Sequence, residues 1–147
     1  KDVLEVRRAL DALSVELACD RITQEDTNRL LEACAVFERA VREGDASVIA
    51  SADVALHDII VEATGNKRLQ QLVNNLSEQM YRFRFVYIKE ESRHDNLVAE
   101  HREIYEAIVS RDKKRAAEAA RLHIDNQERS IIRQIRLENE ERLNRRR

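Results

Sequence analysis

The sequence of 147 residues contains no proline, no tryptophan, two glycines and two cysteines. Turns between strands depend on proline and glycine, so their scarcity argues against a β protein and predicts an all-α fold. The sequence also lacks a run of about 18 apolar residues and an apolar signal region at its start. We therefore expect a cytoplasmic protein that makes no membrane contact.

Charge is abundant but balanced. The chain carries 26 lysines and arginines against 28 aspartates and glutamates, which gives a formal net charge of −2. This balance offers no general basis for binding nucleic acid, so any contact with DNA must come from another segment. The length is that of one domain, and the start at Lys1, in mid-helix pattern and without methionine, leads us to expect a fragment of a longer protein.

Apolar periodicity predicts about six helices in an antiparallel bundle. Thr23 begins a capping-box pattern for the second helix, which Gly44 ends; Asp45 is the expected cap of the third helix, and Gly65 its stop signal. Cys19 and Cys34 are interpreted as packed hydrophobic side chains. On antiparallel helices they would lie about three turns apart, which is too far for a disulfide.

The second half of the chain has fewer stop signals. One long helix is predicted from about residue 66 to 89, followed by a polar loop over residues 90–95. Two further helices follow, and the mostly charged stretch of residues 136–147 is expected to be a solvated or frayed helix end. His94 lies in the polar loop and is expected to be exposed.

Asp53 and His57 are four residues apart in the third helix and therefore face the same way. They share their side of the helix with apolar residues, so an acid and an imidazole are predicted at buried positions. His101 and His123 occupy similar inward positions on the last two helices. A buried carboxylate without a partner is unfavourable by several kcal/mol or more, so a compensating partner is required.

One carboxylate and three imidazoles from three helices are suitable ligands for a divalent metal. Imidazole suits zinc, nickel, copper and iron, and the carboxylate offsets part of the positive charge. Any one of these histidines alone is more often a structural residue, but the four together favour a metal site. The set therefore predicts a metal held by Asp53, His57, His101 and His123.

Two alternative functions remain open at this point. The adjacent pairs His57-Asp58 and His94-Asp95 are compatible with a metal-dependent hydrolase of the histidine-aspartate phosphohydrolase type. On a continuous helix, however, Asp58 points about 100° away from His57. An oxygen-binding or di-metal bundle requires several Glu-x-x-His pairs on facing helices, and the sequence has none.

Four separated blocks carry a resemblance that covers nearly the whole chain. The chain resembles the C-terminal ligand-binding (FCD) domain of the FadR subfamily of GntR-type bacterial transcription regulators. The similar blocks are Glu5-Val6-Arg7-Arg8-Ala9-Leu10-Asp11, Asp53-x-x-x-His57 with Thr64-Gly65-Asn66, His101-Arg102-Glu103-Ile104 with Ala107-Ile108, and Asp112 with Ala116 and His123. Two positions depart from the pattern: Asp11 replaces a glutamate, and Arg111 stands where glycine is common.

The resemblance implies a single effector-binding and dimerisation domain over residues 1–147 that is not an enzyme. The presence of all four ligands resembles the metal-binding branch of the family rather than the fatty-acyl-CoA branch, and the expected count of about six helices resembles the VanR-like group. The implied metal is zinc first, with nickel, manganese or iron as alternatives. A small organic acid is expected to complete its coordination, with Arg7 and Arg84 as partners of the acid's carboxylate. DNA would be bound by a homodimer through a winged-helix domain preceding Lys1.

Overall fold

A computed structural model describes residues 2–147 of the chain. Within these residues the chain forms seven α-helices and one short 3-10 turn, without a β-strand. The helices are α1 (Asp2–Arg21), α2 (Gln24–Glu43), α3 (Ala46–Ala63), α4 (Lys67–Asn75), α5 (Ser77–Lys89), α6 (His94–Val109) and α7 (Lys113–Arg145), and the turn covers Glu91–Arg93. The predicted all-α fold is confirmed, with one helix more than expected.

The predicted helix ends of the first half are present. Thr23 and Asp45 each accept hydrogen bonds from backbone amides in the first turn that follows them. Gly44 and Gly65 have positive φ angles of 84° and 62°. Residues with a Cβ rarely adopt this conformation, so glycine lets the chain leave α2 and α3 without strain.

The single helix predicted over residues 66–89 is wrong, because Leu76 interrupts it. The amide of Leu76 bonds to the carbonyl of Val73, three residues back, at 3.1 Å, which tightens the last turn of α4. Two consecutive asparagines, Asn74 and Asn75, precede the break. Asparagine side chains compete for backbone hydrogen bonds, so this pair weakens the helix where no glycine or proline marks an end.

After the interruption, α5 is buried more extensively than α4. Met80, Arg84, Tyr87 and Ile88 of α5 are buried against the bundle, whereas Leu72 of α4 remains 47% exposed. A single straight helix would have continued the stripe of Leu72 into α5. The break therefore allows α5 to bring an arginine and a tyrosine to the interior.

α1 and α7 form an extensive antiparallel pair. Arg8 Nε lies 3.0 Å from Asp125 Oδ1 near one end, and Lys113 Nζ lies 2.6 Å from Asp20 Oδ2 near the other. α7 also packs against α5 and α6, while α2 packs against α3 and α6. The core between these pairs contains Cys19 and Cys34 as buried free thiols.

α7 continues as a helix beyond the bundle, and every side chain from residue 136 to 147 is exposed. The charged stretch is therefore a solvated helix end, one of the two forms expected for it. Its arginines and glutamates remain in water, so their charges are not desolvated.

Candidate metal centre

Three helices bring together the four residues predicted as ligands. α3 supplies Asp53 and His57, α6 supplies His101 and α7 supplies His123. One ligand atom from each residue can be chosen such that all four lie within 4.8 Å of one another. Asp53, His101 and His123 are at most 2% exposed, and the His57 side chain is 12% exposed. The result is a buried cluster of one carboxylate and three imidazoles.

The spacing within the cluster suits a shared metal ion. Asp53 Oδ1 lies 3.0 Å from His101 Nε2 and 3.2 Å from His57 Nε2. Two ligands bound to one ion at about 2.1 Å are separated from each other by roughly 3.0–3.4 Å. The three imidazole rings approach with centroids 5.1 to 5.5 Å apart.

Several buried polar atoms of the cluster lack a hydrogen-bond partner among the described residues. They are Asp53 Oδ2, His57 Nε2 and both ring nitrogens of His101. The short contacts of Asp53 Oδ1 do not have hydrogen-bond geometry. Each unsatisfied buried group costs about 1–3 kcal/mol, and a cation bound by Asp53, His57 and one ring nitrogen of His101 would remove most of that cost. The residues present therefore fit a divalent metal.

The protonation states also suit metal binding. Burial lowers the pKa of His57 to about 3, and the nearby Arg84 guanidinium acts in the same direction. Burial likewise lowers the pKa of His101. Burial alone raises the pKa of the Asp53 carboxyl, but His57, His101 and Arg84 outweigh it and hold that pKa well below its usual value. Metals bind neutral imidazole and ionised carboxylate, which are the forms favoured here at neutral pH.

Glu100 is a buried residue of the site that the sequence reasoning missed. Its Oε2 lies 3.1 Å from His123 Nδ1, its Oε1 accepts a hydrogen bond of 3.1 Å from the Tyr87 hydroxyl, and Asn126 donates to the same oxygen. A carboxylate on the far nitrogen of a ligating histidine fixes the ring and raises its basicity. Glu100 lies three residues after the buried Leu97, and this helical spacing could have predicted that Glu100 also faces the interior.

The two arginines proposed for the effector occupy different positions. Arg84 Nε lies 3.5 Å from Asp53 Oδ2, beside the cluster. Arg7 is fully buried on α1, where its Nη1 donates to Gln127 Oε1 at 2.6 Å and its Nη2 lies 3.4 Å from Asp11 Oδ2. Burial lowers the pKa of Arg7, although its Asp11 partner acts in the opposite direction.

A cavity of about 70 Å³ adjoins the cluster. His57, His123 and Arg84 contribute to its wall, together with apolar side chains that include Met80 and Ile104. A cavity needs about 10–15 Å³ to hold one water, so this one has room for water or a small polar molecule. Imidazole, guanidinium and apolar surface thus meet around a space suited to a small polar molecule.

The fourth histidine is separate from this cluster, but it is not the exposed loop residue that was predicted. His94 begins α6 and is half-buried, with Nε2 2.7 Å from the carbonyl of Ile88. The polar loop is shorter than expected because the 3-10 turn and α6 begin within it. Neither His94 nor Asp58 belongs to the metal-competent group, so the hydrolase pairs do not form one site.

These features define a class: an all-α domain with a buried, metal-competent Asp/His cluster beside a small cavity. Comparison with known proteins identifies the family within that class. The model of the FCD domain matches residues 2–126, and the chain belongs to this family, the effector-binding domain of GntR-family transcription regulators.

The relatives are regulators of transcription. The chain is 29% identical over 133 residues to the HTH-type transcriptional regulator LutR of Bacillus subtilis (strain 168), covering 87% of this chain and 60% of LutR. It is 26% identical over 140 residues to the HTH-type transcriptional repressor GlaR of Escherichia coli (strain K12), covering 84% and 60% of the two chains. The chain thus spans 60% of the length of each of these two relatives.

The fold is also similar to a solved structure of the family. The metal-free FCD domain of TM0439 superposes with a TM-score of 0.76 at 22% identity, covering 92% of this chain and 93% of that one. The family consists of regulators rather than enzymes, and the phosphohydrolase alternative finds no support. No helix in the described part of the chain is long and apolar enough to cross a membrane.

Proposed function

We propose that residues 1–147 are the effector-sensing and dimerisation domain of a cytoplasmic, DNA-binding GntR-family regulator. The observation that carries the proposal is the buried cluster of Asp53, His57, His101 and His123, whose unpartnered atoms suit a divalent cation. The HTH-type relatives extend beyond the part that this chain matches. DNA binding is therefore assigned to another domain of a homodimeric protein.

Zinc is the first candidate for the metal, because imidazole nitrogen and carboxylate oxygen are among its usual ligands. Nickel, manganese and iron are the alternatives, since ions that accept five or six ligands leave positions for a further molecule. When bound, the metal supplies a positive charge and open coordination positions. The chain's own residues fix where those positions are by holding the rings and the carboxylate in place.

A small organic acid is the proposed effector. The cavity of about 70 Å³ next to His57 and His123 suits its size, and Arg84 on the cavity wall suits its carboxylate. Arg7 is the second proposed carboxylate partner, and its buried Nε has no hydrogen-bond partner among the described residues. Effector binding changes the regulator only to the extent that it favours one bundle geometry over another.

The test is elemental analysis of the untagged protein, followed by a thermal-shift screen of organic acids. We expect about one metal per chain in the parent and none in an Asp53→Ala/His101→Ala variant. His94→Ala is the matched control, because this histidine lies outside the cluster, and it should retain the metal. One class of acid should raise the melting temperature of the parent only. A parent without metal, even after reconstitution, would contradict the proposal.

A further inference from the structure

His123 differs from the other histidines of the cluster because both of its ring nitrogens have partners. Nδ1 lies 3.1 Å from Glu100 Oε2, and Nε2 lies 3.1 Å from Gln127 Nε2. In contrast, His57 Nε2 and both nitrogens of His101 are without hydrogen-bond partners among the described residues. The lone pair that His123 would offer to a metal is thus already engaged by another side chain.

The direction of these hydrogen bonds follows from Arg7. A guanidinium only donates, so Gln127 Oε1 must be the atom that accepts from Arg7 Nη1 at 2.6 Å. The other atom of the Gln127 amide is then the nitrogen, which donates to His123 Nε2. His123 Nε2 therefore carries a lone pair, and Nδ1 carries the proton that it donates to Glu100.

We propose that Gln127 sets the metal affinity of the centre by competing for the lone pair of His123 Nε2. A metal and the Gln127 N–H cannot use that lone pair at the same time, so metal binding requires the amide to move away. The inference rests on the proposed function, in which His123 is a ligand. Gln127 is a positioning residue that never touches the metal.

The same amide connects the centre to α1. Gln127 and Arg7 are each at most 1% exposed, so water does not replace the hydrogen bond between them. When the Gln127 amide leaves His123, its carbonyl oxygen also changes position relative to Arg7 Nη1. Arg7 holds the amide in the competing orientation, and loss of Arg7 should free it.

The experiment measures the dissociation constant of Zn²⁺ by chelator competition in the parent and in Gln127→Met. Methionine keeps the length of the side chain and removes the donor, so we expect zinc to bind about two- to tenfold more tightly, in line with one neutral hydrogen bond. Gln134→Met is the control: it changes an exposed glutamine of the same helix and should leave the constant unchanged.

Arg7→Met tests the connection to α1. It should also tighten zinc binding, and the double variant Arg7→Met/Gln127→Met should gain little beyond either single variant, because both act through the same amide. Additive gains would overturn the role given to Arg7. Circular dichroism checks that each variant is folded.

NMR of the metal-free parent tests the inference without any variant. Nitrogen-15 correlation spectra should show His123 with its proton on Nδ1, and a proton on Nε2 would overturn the proposal. If the parent binds zinc and Gln127→Met binds it equally or more weakly, the competition is refuted while the proposed function stands. If the parent binds neither zinc nor nickel, manganese or iron, both fail.

Discussion

At the scale of single residues, Glu100 allows a test of whether a buried carboxylate orients His123 for metal binding. Its carboxylate contacts His123 Nδ1 and is held in turn by the Tyr87 hydroxyl. We expect Glu100→Gln to weaken zinc binding about 10- to 100-fold, as is usual for a carboxylate that orients a ligating histidine. Chelator competition measures the effect.

Glu103→Gln provides the comparison on the same helix, because Glu103 pairs with Arg115 near the surface and is not part of the cluster. It should leave zinc binding unchanged. Unfolding of the metal-free chain in urea separates positioning from simple structural damage. If Glu100→Gln lowers stability but not zinc affinity, the carboxylate only supports the fold.

Cys34 allows a prediction about pH. Burial is the main cause that raises the pKa of its thiol to about 11. The thiol of an unfolded chain ionises near pH 8.5. The folded chain therefore holds the thiol neutral at pH values where the unfolded chain ionises it, and high pH favours unfolding. The contribution of Cys34 to stability is fully present below the unfolded pKa and is lost as the pH rises through about 11.

Urea denaturation from pH 8 upward measures the loss of stability, and reaction with a disulfide reagent at pH 8 tests whether the folded chain protects its thiols. Only the thiolate reacts, so the native chain should react very slowly, and both Cys34 and the buried Cys19 should react once urea unfolds the chain. Rapid modification of two thiols in the native protein would show that the core opens there.

At the scale of helices, the junction of α6 and α7 depends on an unusual arginine. Arg111 has a positive φ angle of 60°, a conformation that glycine adopts more readily than residues with a Cβ. Its side chain compensates for the strain. Nη1 donates to the carbonyl of Cys19 at 2.7 Å, and Nη2 donates to that of Ile22 at 3.2 Å, so Arg111 caps the end of α1.

Substitutions at Arg111 should separate these two contributions. Arg111→Ala keeps the strained backbone and loses both hydrogen bonds, so we expect it to lower the free energy of unfolding by about 1–3 kcal/mol. Arg111→Gly also loses the bonds but relieves a strain of about 1 kcal/mol, and should be the more stable of the two. Urea denaturation measures both, and an alanine variant as stable as the glycine variant would argue against strain.

The sequence predicts helix ends that are marked by glycine better than it predicts a break within a helix. Gly44 and Gly65 mark ends because a positive φ angle requires a particular residue type. The break at Leu76 has no such marker, since consecutive asparagines only weaken a helix and tertiary packing decides the outcome. The early start of α6 at His94 was missed because the residues around it are polar whether helical or not.

At the scale of the whole molecule, the cluster was predictable to the extent that it depends on helix periodicity. Asp53, His57, His101 and His123 face inward because they share a stripe with apolar residues, and one enclosed core brings inward residues together. Glu100 and Gln127 depend on the rotation of α6 against α7. That rotation is a property of the packed bundle, so the hydrogen bonds on either side of His123 could not be deduced from spacing.

Metal binding should stabilise the whole chain. Zinc at 100 times its dissociation constant adds about 2.7 kcal/mol to the free energy of unfolding, which corresponds to a rise of roughly 5–11 °C in the melting temperature for a domain of this size. Scanning calorimetry with and without a chelator measures the shift. The Asp53→Ala/His101→Ala variant should show none, and an equal shift in that variant would point to zinc bound elsewhere.

The antiparallel pairing of α1 with α7 has a mechanical consequence. Ion pairs join the two helices near both ends of their contact, between Arg8 and Asp125 and between Lys113 and Asp20. A buried hydrogen bond from Arg7 to Gln127 is a third contact between them. Sliding α1 along α7 by one helical turn, about 5.4 Å, would break all three contacts together. We therefore expect α1 and α7 to move together as one unit, so that a displacement of α7 at His123 also moves α1.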